Sequence, residues 1–501
     1  MLITVTKSLC PVCKRVIDAS VVEENGQVLI KKDCPEHGHF EDVYWSSVEE
    51  YKRFMKYQIP GDPIENPQTK RDKGCPFDCG LCNEHKTRTI LANIDITNDC
   101  NLRCPICFAN AAASGYLFEP TMDQIKKMFQ LLRDQKPAPV DAIQLAGGEP
   151  TVRKEVFEII KLAKDMGFHW VMMASNGIKI AESEEFTKKL KEAGLSSVYL
   201  QFDGLTPEPY IQARGKNLLD VKMRALDNLA KYKITTCLVP TVVKGMNDDQ
   251  LGDIIKFGMK HDAVRVVNFQ PVSFTGRIST AELKKQRITI PDLMRLVEEQ
   301  TDGAIMAKDW LPIPAIAPLE RIVEVVTKRR VPKSSTHVHC GAGVYVFRKG
   351  DSFIPLNQFF DVEGAREVIL EEIGILTHEN FINRMKEQPR ILKKLFSLID
   401  KEKAPDYFDW TQLIKNIIFR KSKKYSAPQI VQENALFIGT MHFMDPFNFD
   451  TARVERCCIH YVTPDMRIIP FCAYNTKHRE EIEKKFSKPL KKPAPEYMVK
   501  E

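Results

Sequence analysis

Three closely spaced cysteines form the first group of residues that could do chemistry. Cys100, Cys104 and Cys107 follow an apolar, strand-like run in a C-x3-C-x2-C spacing. Thiolates bind soft metals, namely zinc, copper(I) and iron–sulfur clusters. Three thiolates leave one iron of a [4Fe-4S] cluster without a protein ligand, and an open iron is a place for chemistry. We therefore interpret this loop as a reactive iron–sulfur site, with a zinc knuckle or buried free thiols as the alternative.

A second set of cysteines repeats this spacing. Cys75, Cys79 and Cys82 lie in a stretch rich in Pro, Asp and Lys. We interpret the stretch as a linker that holds a second iron–sulfur cluster ahead of the main domain, with zinc as the alternative.

The N-terminal segment contains two short metal-binding patterns. Cys10 and Cys13 form one of them, and Cys34 and His37 form the other. The alternating residues between them include Asn25-Gly26, a pair typical of a hairpin turn. Three cysteines and one histidine predict a tetrahedral site for zinc or iron, as in zinc ribbons and rubredoxins, and a unit this small needs its metal to fold.

Strand-like and helix-like segments alternate over residues 89–280, and they must position these thiols. The six predicted strands are residues 89–96, 142–145, 170–173, 197–202, 236–239 and 264–269. Helical patterns lie between them, such as the one opened by Thr121-x-x-Gln124, a capping box. This alternation predicts a parallel sheet wrapped by helices, either open or curled into a partial barrel. Ligands bind at the C-terminal ends of such strands, and Cys100 follows the first strand.

Polar residues follow the second, third and fourth predicted strands. They are Gly147, Gly148, Glu149 and Pro150, then Ser175 and Asn176, then Gln201, Asp203 and Arg214. The glycines allow close approach of backbone to a ligand, and Glu149 can bind an ammonium group. Ser175 and Asn176 suit the hydroxyls of a ribose, and the Arg214 guanidinium can clamp a carboxylate.

Composition limits the class of protein. The 501 residues predict two to four domains, and no apolar run reaches the roughly 18 residues of a membrane span. The start of the chain lacks the pattern of a signal peptide, so we expect a cytoplasmic protein. Most of the 14 cysteines are clustered beside Pro, Gly or His, which indicates metal binding in a reducing compartment. The formal charge of +7 is a weak indication of an anionic partner.

The loop at Cys100, together with Gly147-Gly148-Glu149-Pro150, resembles the radical S-adenosylmethionine (SAM) superfamily. The resemblance covers about residues 90–280. It implies that the open iron binds the amino and carboxylate groups of SAM and that reduction releases a 5′-deoxyadenosyl radical. Ile106 stands where the superfamily usually has an aromatic residue near the adenine. Cys237, alone in an apolar strand, is interpreted as a core thiol.

Four more cysteines resemble the C-terminal auxiliary-cluster extension of many radical SAM enzymes. They are Cys340, Cys457, Cys458 and Cys472, and a predicted hairpin brings the last two close together. With the linker cysteines, the resemblance implies two auxiliary clusters that share seven thiolates. One of the two clusters then has a non-cysteine fourth ligand or an open iron, and the sequence leaves open how the cysteines divide.

The predicted fold is therefore α/β, a partial (β/α)6 barrel with metal-binding segments before and after it. The segments are a rubredoxin-like domain (1–60), a cluster linker (61–88), the radical SAM core (89–280), a helical region (281–430) and a C-terminal auxiliary-cluster domain (431–501). Residues 390–399 and 407–420, followed by the basic run Arg420–Lys424, form amphipathic patterns. We interpret them as helices packed on the core, with a membrane-surface helix as the alternative. The Lys- and Pro-rich tail beyond Thr476 is predicted to be solvated.

Over nearly its full length the sequence resembles the archaeal tetraether lipid synthase group, some members of which are assigned as pterin methyltransferases. The resemblance implies an enzyme that joins terminal methyl carbons of isoprenoid chains in archaeal ether phospholipids, with two SAM per bond. It also implies three [4Fe-4S] clusters, one mononuclear iron or zinc, a ferredoxin-like reductant, a transient contact with a membrane surface and no nucleic acid partner. The alternative is methylation of 7,8-dihydro-6-hydroxymethylpterin at two carbons in methanopterin biosynthesis. A multi-cluster electron carrier or a zinc-ribbon nucleic-acid binder would not need Glu149, Ser175, Asn176 and Arg214 around an open cluster.

Overall fold

The computed structural model describes residues 1–327, 330, 333–350, 352–377, 381–407 and 434–489. Residues 408–420 of the second amphipathic pattern, the basic run 420–424 and the end of the tail from residue 490 lie outside this description. In the described part, no helix combines the length and the apolar character that a membrane span requires.

The N-terminal segment is a four-stranded antiparallel sheet followed by a helix. Its elements are β1 (Leu2–Leu9), β2 (Val16–Glu24), β3 (Gln27–Cys34), β4 (Gly38–Trp45) and α1 (Val48–Met55). Asn25 and Gly26 both have positive φ, at 50° and 76°, as a tight two-residue hairpin turn requires. The alternation in β2 and β3 therefore places Val21, Val28 and Ile30 on one buried face.

The predicted parallel sheet forms the centre of the molecule. The six predicted strands are β5 (Leu91–Thr97), β7 (Ala142–Gly147), β8 (Trp170–Ser175), β9 (Ser197–Gln201), β10 (Thr235–Val239) and β12 (Val264–Pro271). They are hydrogen-bonded neighbours in this order, and every pairing among them is parallel. The predicted radical SAM-type α/β architecture is therefore confirmed.

Helices alternate with these strands. They are α2 (Met122–Arg133), α3 (Val156–Asp165), α4 (Ile178–Glu182), α5 (Glu184–Glu192), α6 (Pro207–Arg214), α7 (Leu219–Lys231), α8 (Leu251–Lys260), α9 (Leu283–Gln286) and α10 (Ile290–Gln300). α2 begins with the predicted capping box between Thr121 and Gln124. The apolar stripes of the longer helices and the outward side chains of the sheet form one large core that includes Ile125, Ile159 and Leu226.

The sheet continues beyond the six predicted strands. The additional strands of this sheet are β11 (Thr241–Val242), β13 (Leu311–Pro312), β14 (Gly341–Lys349), β15 (Ser352–Pro355), β16 (Ala435–Met441), β17 (Ile459–Val462) and β18 (Ile468–Pro470). Two further strands, β6 (Tyr116–Phe118) and β19 (Ser487–Pro489), form a separate antiparallel pair. β16 pairs in parallel with β12, and β17 pairs in parallel with β5, so strands from the C-terminal segment extend the central sheet on both sides. The structure differs here from the predicted division, because β13–β15 lie in the region expected to be helical. These pairings join distant parts of the chain, which local patterns do not reveal.

The helical region packs on itself through α11 (Ala317–Thr327), α12 (Val362–Thr377) and α13 (Phe381–Phe396). In α13, Ile391 and Leu395 are buried against Ile322 and Ile369. The first amphipathic pattern therefore buries its apolar stripe within the protein, as its main interpretation stated.

Buried charges join the N-terminal unit to the C-terminal segment. Arg287 forms ion pairs with Asp42 of β4 and with Asp445, and all three side chains are almost fully buried. Lys32 donates to the carbonyl of Pro446 at 2.7 Å. The metal-binding unit is therefore docked on the rest of the protein through specific polar contacts.

The tail beyond Thr476 is packed as far as the structure describes it, which corrects the prediction of a solvated arm. The helix Arg479–Lys485 buries Arg479 and Ile482. Arg479 Nη1 donates to Asp95 Oδ2 at 2.6 Å and to Glu483 Oε1 at 2.9 Å. The Lys-rich composition of the tail suggested exposure to solvent and gave no indication of these two buried ion pairs.

Candidate active site

The loop 98–110 begins at the end of β5 and is held against the end of β7. Gly148 N donates to the carbonyl of Thr97 at 2.7 Å, and Glu149 N donates to that of Asp99 at 2.8 Å. A Cβ on Gly148 would lie 2.0 Å from the Asp99 carbonyl oxygen, so only glycine fits. The sequence predicted close backbone approach to a ligand, and the structure shows close approach to the cysteine loop itself.

A second segment holds the other side of this loop. Cys107 and Arg277 form an antiparallel bridge, and Arg277 Nε donates to the carbonyl of Cys104 at 2.6 Å. Gly276 allows this contact, because its φ is +70° and a Cβ there would lie 2.5 Å from the Cys107 carbonyl oxygen. The thiols are thus presented by a loop that is braced from both sides.

The donor set of this loop fits an iron–sulfur cluster. Burial, together with the nearby Glu149 carboxylate, raises the pKa of Cys100 to about 12. Burial also raises the pKa of Cys104, although Arg214 opposes that shift. Without a metal these thiols would stay protonated, whereas a bound metal deprotonates a coordinating thiol. Cys100, Cys104 and Cys107 are therefore suited to a soft cationic centre.

A chain of hydrogen bonds connects the predicted site residues, and it starts in the loop. Asn176 Nδ2 donates to Asn101 Oδ1 at 2.7 Å. The Asn176 carbonyl accepts from Lys222 Nζ at 2.5 Å, and Lys222 also donates to Gln201 Oε1 at 2.8 Å. The ends of β8 and β9 are thereby tied together through one buried ammonium group.

The chain then returns to the loop. Gln201 donates to Asp203, which accepts two bonds from Arg214, at 2.8 Å from Nε and 2.7 Å from Nη2. Arg214 Nη1 donates to the carbonyl of Ile106 at 2.9 Å. We call this set the strand-end network; it consists of Asn101, Asn176, Lys222, Gln201, Asp203, Arg214 and Ile106. It anchors the cysteine loop at two points.

Arg214 has a different partner from the one predicted. The sequence suggested that it clamps the carboxylate of a ligand, but the carboxylate in its fork belongs to Asp203, which is fully buried. A third contact reaches Thr241 Oγ1 at 3.1 Å. Arg214 does bind a carboxylate, as predicted. A single sequence does not show that this carboxylate belongs to the protein and not to a ligand.

Glu149 is also occupied by protein donors. Its Oε1 accepts from Thr151 Oγ1 at 2.7 Å and from Ser175 Oγ at 2.8 Å, and its Oε2 accepts from Asn176 N at 2.7 Å. Glu149 is 1 % exposed. The carboxylate therefore ties β7 to β8, and Oε2 has one acceptor position left. The ammonium contact of Glu149 and the ribose contacts of Ser175 and Asn176 remain predictions.

Two residues of the site were missed in the sequence, Lys222 and Arg277. Lys222 lies in the first turn of α7, where a lysine is ordinarily a solvated residue, yet it is fully buried. Arg277 follows Gly276 shortly after the last predicted strand. A Gly-Arg pair just after a strand, at the edge where ligands bind, could have indicated Arg277 as a site residue. Nothing in the local sequence indicated Lys222.

The burial of Lys222 predicts a pH dependence of stability. Burial lowers the pKa of Lys222 to about 7, although Asp203 opposes the shift. Between pH 7 and 10 the unfolded chain binds the proton that the folded protein lacks, so this group's contribution to stability increases with pH. We expect the free energy of unfolding of the native protein, relative to Lys222→Met, to increase by up to about 1.4 kcal/mol per pH unit in this range. Chemical denaturation at a series of pH values measures the difference, and parallel curves for the two proteins would contradict it.

The two faces of the central sheet differ in exposure. Outward residues such as Val171, Met173, Val198 and Leu200 are fully buried against the helices. On β8 and β9 the alternate residues Met172, Ala174, Tyr199 and Gln201, which point to the opposite, inner face, keep part of their surface accessible. The inner face therefore borders space that a ligand can enter.

Amide and phenol side chains are prominent on this inner face. Gln144 Nε2 donates to Asn93 Oδ1 at 3.0 Å, which joins β7 to β5. Tyr199 Oη accepts from Asn268 Nδ2 at 2.6 Å and from Gln270 Nε2 at 2.7 Å, which joins β9 to β12. Within the part of the chain that the structure describes, the amide oxygens of Asn268 and Gln270 accept no hydrogen bond. The sequence analysis did not select these residues, although their alternation with apolar residues along the strands is visible.

Comparisons with known proteins agree with this geometry. The radical SAM superfamily profile matches residues 94–258, and a profile described as the HMPTM N-terminal zinc ribbon domain matches residues 2–46. A protein of Methanocaldococcus jannaschii named 7,8-dihydro-6-hydroxymethylpterin dimethyltransferase is 52 % identical over 491 residues, which are 97 % of this chain and 96 % of that protein. The chain belongs to the radical SAM superfamily, in the same family as this relative.

Other similar proteins match a smaller share of the chain. A probable GTP 3′,8-cyclase of Thermococcus kodakarensis is 31 % identical over 167 residues, and the match spans 33 % of this chain and about half (52 %) of that protein. A crystal structure of Streptococcus suis SuiB bound to S-adenosylmethionine aligns with 43 % of this chain and 47 % of its own, at 15 % identity and a TM-score of 0.35.

The prediction that this radical SAM protein couples isoprenoid chains of archaeal ether phospholipids is wrong. The relative that matches nearly the whole chain is named as a pterin dimethyltransferase, which favours the alternative. The prediction rested on cysteine patterns, and these patterns position metal centres. Substrates are selected by the side chains of the cavity, and these vary among proteins that share one fold.

The zinc ribbon of this radical SAM protein brings its four predicted metal ligands together. One potential ligand atom from each of Cys10, Cys13, Cys34 and His37 lies within 4.8 Å of the others. The two cysteines of the first pair lie in the turn between β1 and β2, and the second pair lies in the turn between β3 and β4. The hydrogen bond with His37 lowers the pKa of Cys34 to about 6. This donor set fits a tetrahedral site for zinc or iron.

We expect Cys34→Ser to release one equivalent of metal and to unfold residues 1–46. Structural sites of this kind contribute on the order of 10 kcal/mol of apparent binding free energy, which the small sheet cannot replace. Metal analysis and limited proteolysis measure the two effects, with Cys237→Ala as the control because that thiol is buried outside the ligand sets. Retention of the metal with a protease-resistant ribbon would contradict this assignment.

The seven remaining clustered cysteines form two groups. Burial raises the pKa of Cys457, and the neighbouring Cys472, Cys458 and Cys340 raise it further, so these four thiols lie together. β17 and β18 form the predicted hairpin, with His460 opposite Pro470. The linker thiols Cys75, Cys79 and Cys82 line one small cavity, which Val454, Glu455 and Pro470 of the C-terminal segment also line.

Proposed function

We propose that this protein is a radical SAM enzyme that transfers two methyl groups to carbon atoms of 7,8-dihydro-6-hydroxymethylpterin. The observation that carries the proposal is the 52 % identity with the named dimethyltransferase over 97 % of this chain and 96 % of the relative. A match of this extent includes the metal-binding ribbon, the core and both segments that contain the other cysteines.

The inner face of the sheet supports a small polar substrate. A reduced pterin is a flat heterocycle with N–H donors, ring nitrogen acceptors and a carbonyl group, so its edge needs amide-like partners. Asn93, Gln144, Asn268 and Gln270 supply four amides, and Tyr199 supplies a phenol between two of them. A hydrogen-bonding site of this type discriminates strongly, because a ligand without matching groups leaves buried polar atoms unpaired.

The reactive centre lies at the strand ends above this face. We assign the SAM-cleaving [4Fe-4S] cluster to Cys100, Cys104 and Cys107; when bound and reduced, it supplies the electron that cleaves SAM to methionine and a 5′-deoxyadenosyl radical. The protein's part is positional. The strand-end network and Arg277 hold the loop, while Glu149 aligns the end of β7 with Ser175 on β8.

Further metal centres complete the proposal. We assign two auxiliary [4Fe-4S] clusters to the two groups of remaining cysteines and one mononuclear iron or zinc to the ribbon. These sites contain soft donors. A ferredoxin-like reductant is the proposed electron source, since cleavage of SAM consumes an electron.

Truncation of one amide tests the substrate assignment. We expect Gln270→Ala to weaken binding of the reduced pterin about tenfold, because one hydrogen bond of roughly 1 kcal/mol is lost and Tyr199 is left with fewer partners. Equilibrium dialysis of 7,8-dihydro-6-hydroxymethylpterin against the anaerobic holoenzyme measures this.

Val266→Ala is the matched control, because Val266 lies on the same strand and face but has no hydrogen-bonding group. This variant should change the dissociation constant of the pterin by less than about threefold, because it removes only a small apolar contact. Equal losses in both variants, or no pterin binding by the native holoenzyme, would contradict the assignment.

A further inference from the structure

A histidine shares the small cavity of the linker thiols. Cys75, Cys79, Cys82 and His85 all line this cavity, together with the carboxylates of Asp78, Glu84 and Glu455, the last of which pairs with Lys86 at 2.7 Å. In the sequence His85 extends the pattern to C-x3-C-x2-C-x2-H. We infer that His85 is the fourth protein ligand of the linker metal centre and that it binds through Nδ1.

The division of the cysteines between the two centres leaves the fourth ligand position of the linker centre without a thiolate. The carbonyl oxygen of Cys457 contacts His85 of the linker, but the thiols that act on the Cys457 thiol are Cys472, Cys458 and Cys340. The neighbouring thiols of Cys79 are Cys75 and Cys82. Four thiolates therefore complete one cluster, and the linker centre has three.

The hydrogen bonds of His85 prepare it for metal binding. His85 is 6 % exposed, and its Nε2 lies 2.8 Å from the carbonyl oxygen of Cys457. A carbonyl oxygen can only accept, so Nε2 holds the proton and Nδ1 keeps its lone pair. Among the described residues, none forms a hydrogen bond with Nδ1. Metal-binding histidines characteristically donate their other N–H to a carbonyl or carboxylate in this way.

The other side chains of the cavity have different roles. Asp78 accepts from the backbone N–H groups of Asp72 and Gly74, at 2.7 and 2.6 Å, and thereby holds the turn that contains Cys75. Glu84 is half exposed and lies near Arg71 at the surface. Imidazole is also a better ligand for iron beside thiolates than a hydrated carboxylate is.

His85 would then connect the two auxiliary centres. Its Nε2–H group donates to the carbonyl of Cys457, and the thiol of Cys457 belongs to the other group. The inference rests on the proposed clusters but not on the proposed substrate. The imidazole ring and its hydrogen bond to Cys457 would then link the linker centre to the neighbouring cluster.

Pulsed electron paramagnetic resonance on the reduced, SAM-free, full-length protein tests the inference. We expect a strong ¹⁴N coupling from a directly bound imidazole, which becomes a ¹⁵N coupling when the protein is labelled with ¹⁵N-histidine. The coupling should be lost in His85→Cys, which offers a thiolate instead and should keep the iron content of the native protein. His460→Gln is the matched control, because His460 is buried beside His85 at 3.2 Å between the Nε2 atoms but belongs to no proposed ligand set.

Each outcome bears on the assignment. Loss of the coupling in His85→Cys, with its retention in His460→Gln, supports it. Persistence of the coupling in His85→Cys, or its absence from the native protein, overturns it. The triple variant Cys75→Ala, Cys79→Ala, Cys82→Ala should lose the coupling and one cluster's iron; an unchanged iron content would show that the linker holds no cluster and would also overturn it. None of these measurements uses a pterin, so a failure of the substrate proposal is distinguishable.

Discussion

We expect the Cys104→Ala variant to lose reductive cleavage of SAM to below about one thousandth of the native rate. Two thiolates cannot hold a cluster with one open iron, and Cys104 is the central member of the three. Its carbonyl is held by Arg277 at 2.6 Å, so the position is defined by the fold and no neighbouring cysteine can replace it. Formation of 5′-deoxyadenosine with a chemical reductant, measured by chromatography, gives the rate.

Two controls make this result specific. Cys237→Ala removes a buried thiol from β10 that is outside the proposed ligand sets, and it should leave SAM cleavage within about threefold of the native rate. Iron analysis of Cys104→Ala should show the loss of one cluster with the auxiliary sites retained. Native rates of cleavage in Cys104→Ala would contradict the assignment of the loop.

Removal of Arg214 should destabilise the core and the cysteine loop together. We expect Arg214→Ala to lower the free energy of unfolding by about 3–5 kcal/mol, because Asp203 is then a buried carboxylate without its partner. Asp203 is fully buried and Arg214 is 9 % exposed. The variant also loses the contact with the Ile106 carbonyl, so the cluster should release iron to a chelator faster than in the native protein.

Chemical denaturation and iron release measure these two effects. Arg295→Ala is the matched control, because Arg295 pairs with Glu299 at 2.7 Å on the exposed surface of α10. Such a surface pair contributes about 0.3–0.5 kcal/mol. The double variant Asp203→Leu, Arg214→Leu should recover part of the lost stability, since no unpaired charge remains. Equal small losses for Arg214→Ala and Arg295→Ala would contradict the role of the strand-end network.

The parallel core could be predicted because its signals are local. β5, β7, β8, β9, β10 and β12 are apolar runs separated by helical patterns, and each predicted strand lies within a few residues of its observed bounds. β14, β16 and β17 could not be predicted in this way. β16 pairs with β12 across more than 160 positions of the chain, for example Phe437 with Val266, and no periodic pattern records such a pairing.

The metal ligands could be predicted, but the partners of the polar site residues could not. Cysteine spacing is informative because three thiolates within eight residues have few uses other than metal binding. Arg214 and Glu149 were recognised as site residues, yet their contacts with Asp203 and Ser175 depend on which strand ends are adjacent. Lys222 was missed because its burial is decided by the packing of α7 against those ends.

The substrate class was the point at which the sequence was most misleading. The ten cysteines outside the radical SAM core resemble those of enzymes that act on very different molecules, and this resemblance led to the wrong prediction of a lipid substrate. Asn268, Gln270 and Tyr199 are the residues that we propose to select a polar substrate over an apolar one. They alternate with core residues along two strands and so attract no attention in a search for motifs.

Product analysis in one reaction that offers both kinds of substrate tests the central claim most directly. The anaerobic holoenzyme is incubated with SAM, a reductant, 7,8-dihydro-6-hydroxymethylpterin and an archaeal ether lipid extract, and the products are analysed by mass spectrometry. The account predicts pterins that gain one and then two methyl groups, unchanged lipids, and no methylated product with Cys104→Ala. Lipids with joined isoprenoid chains beside an unchanged pterin would contradict it.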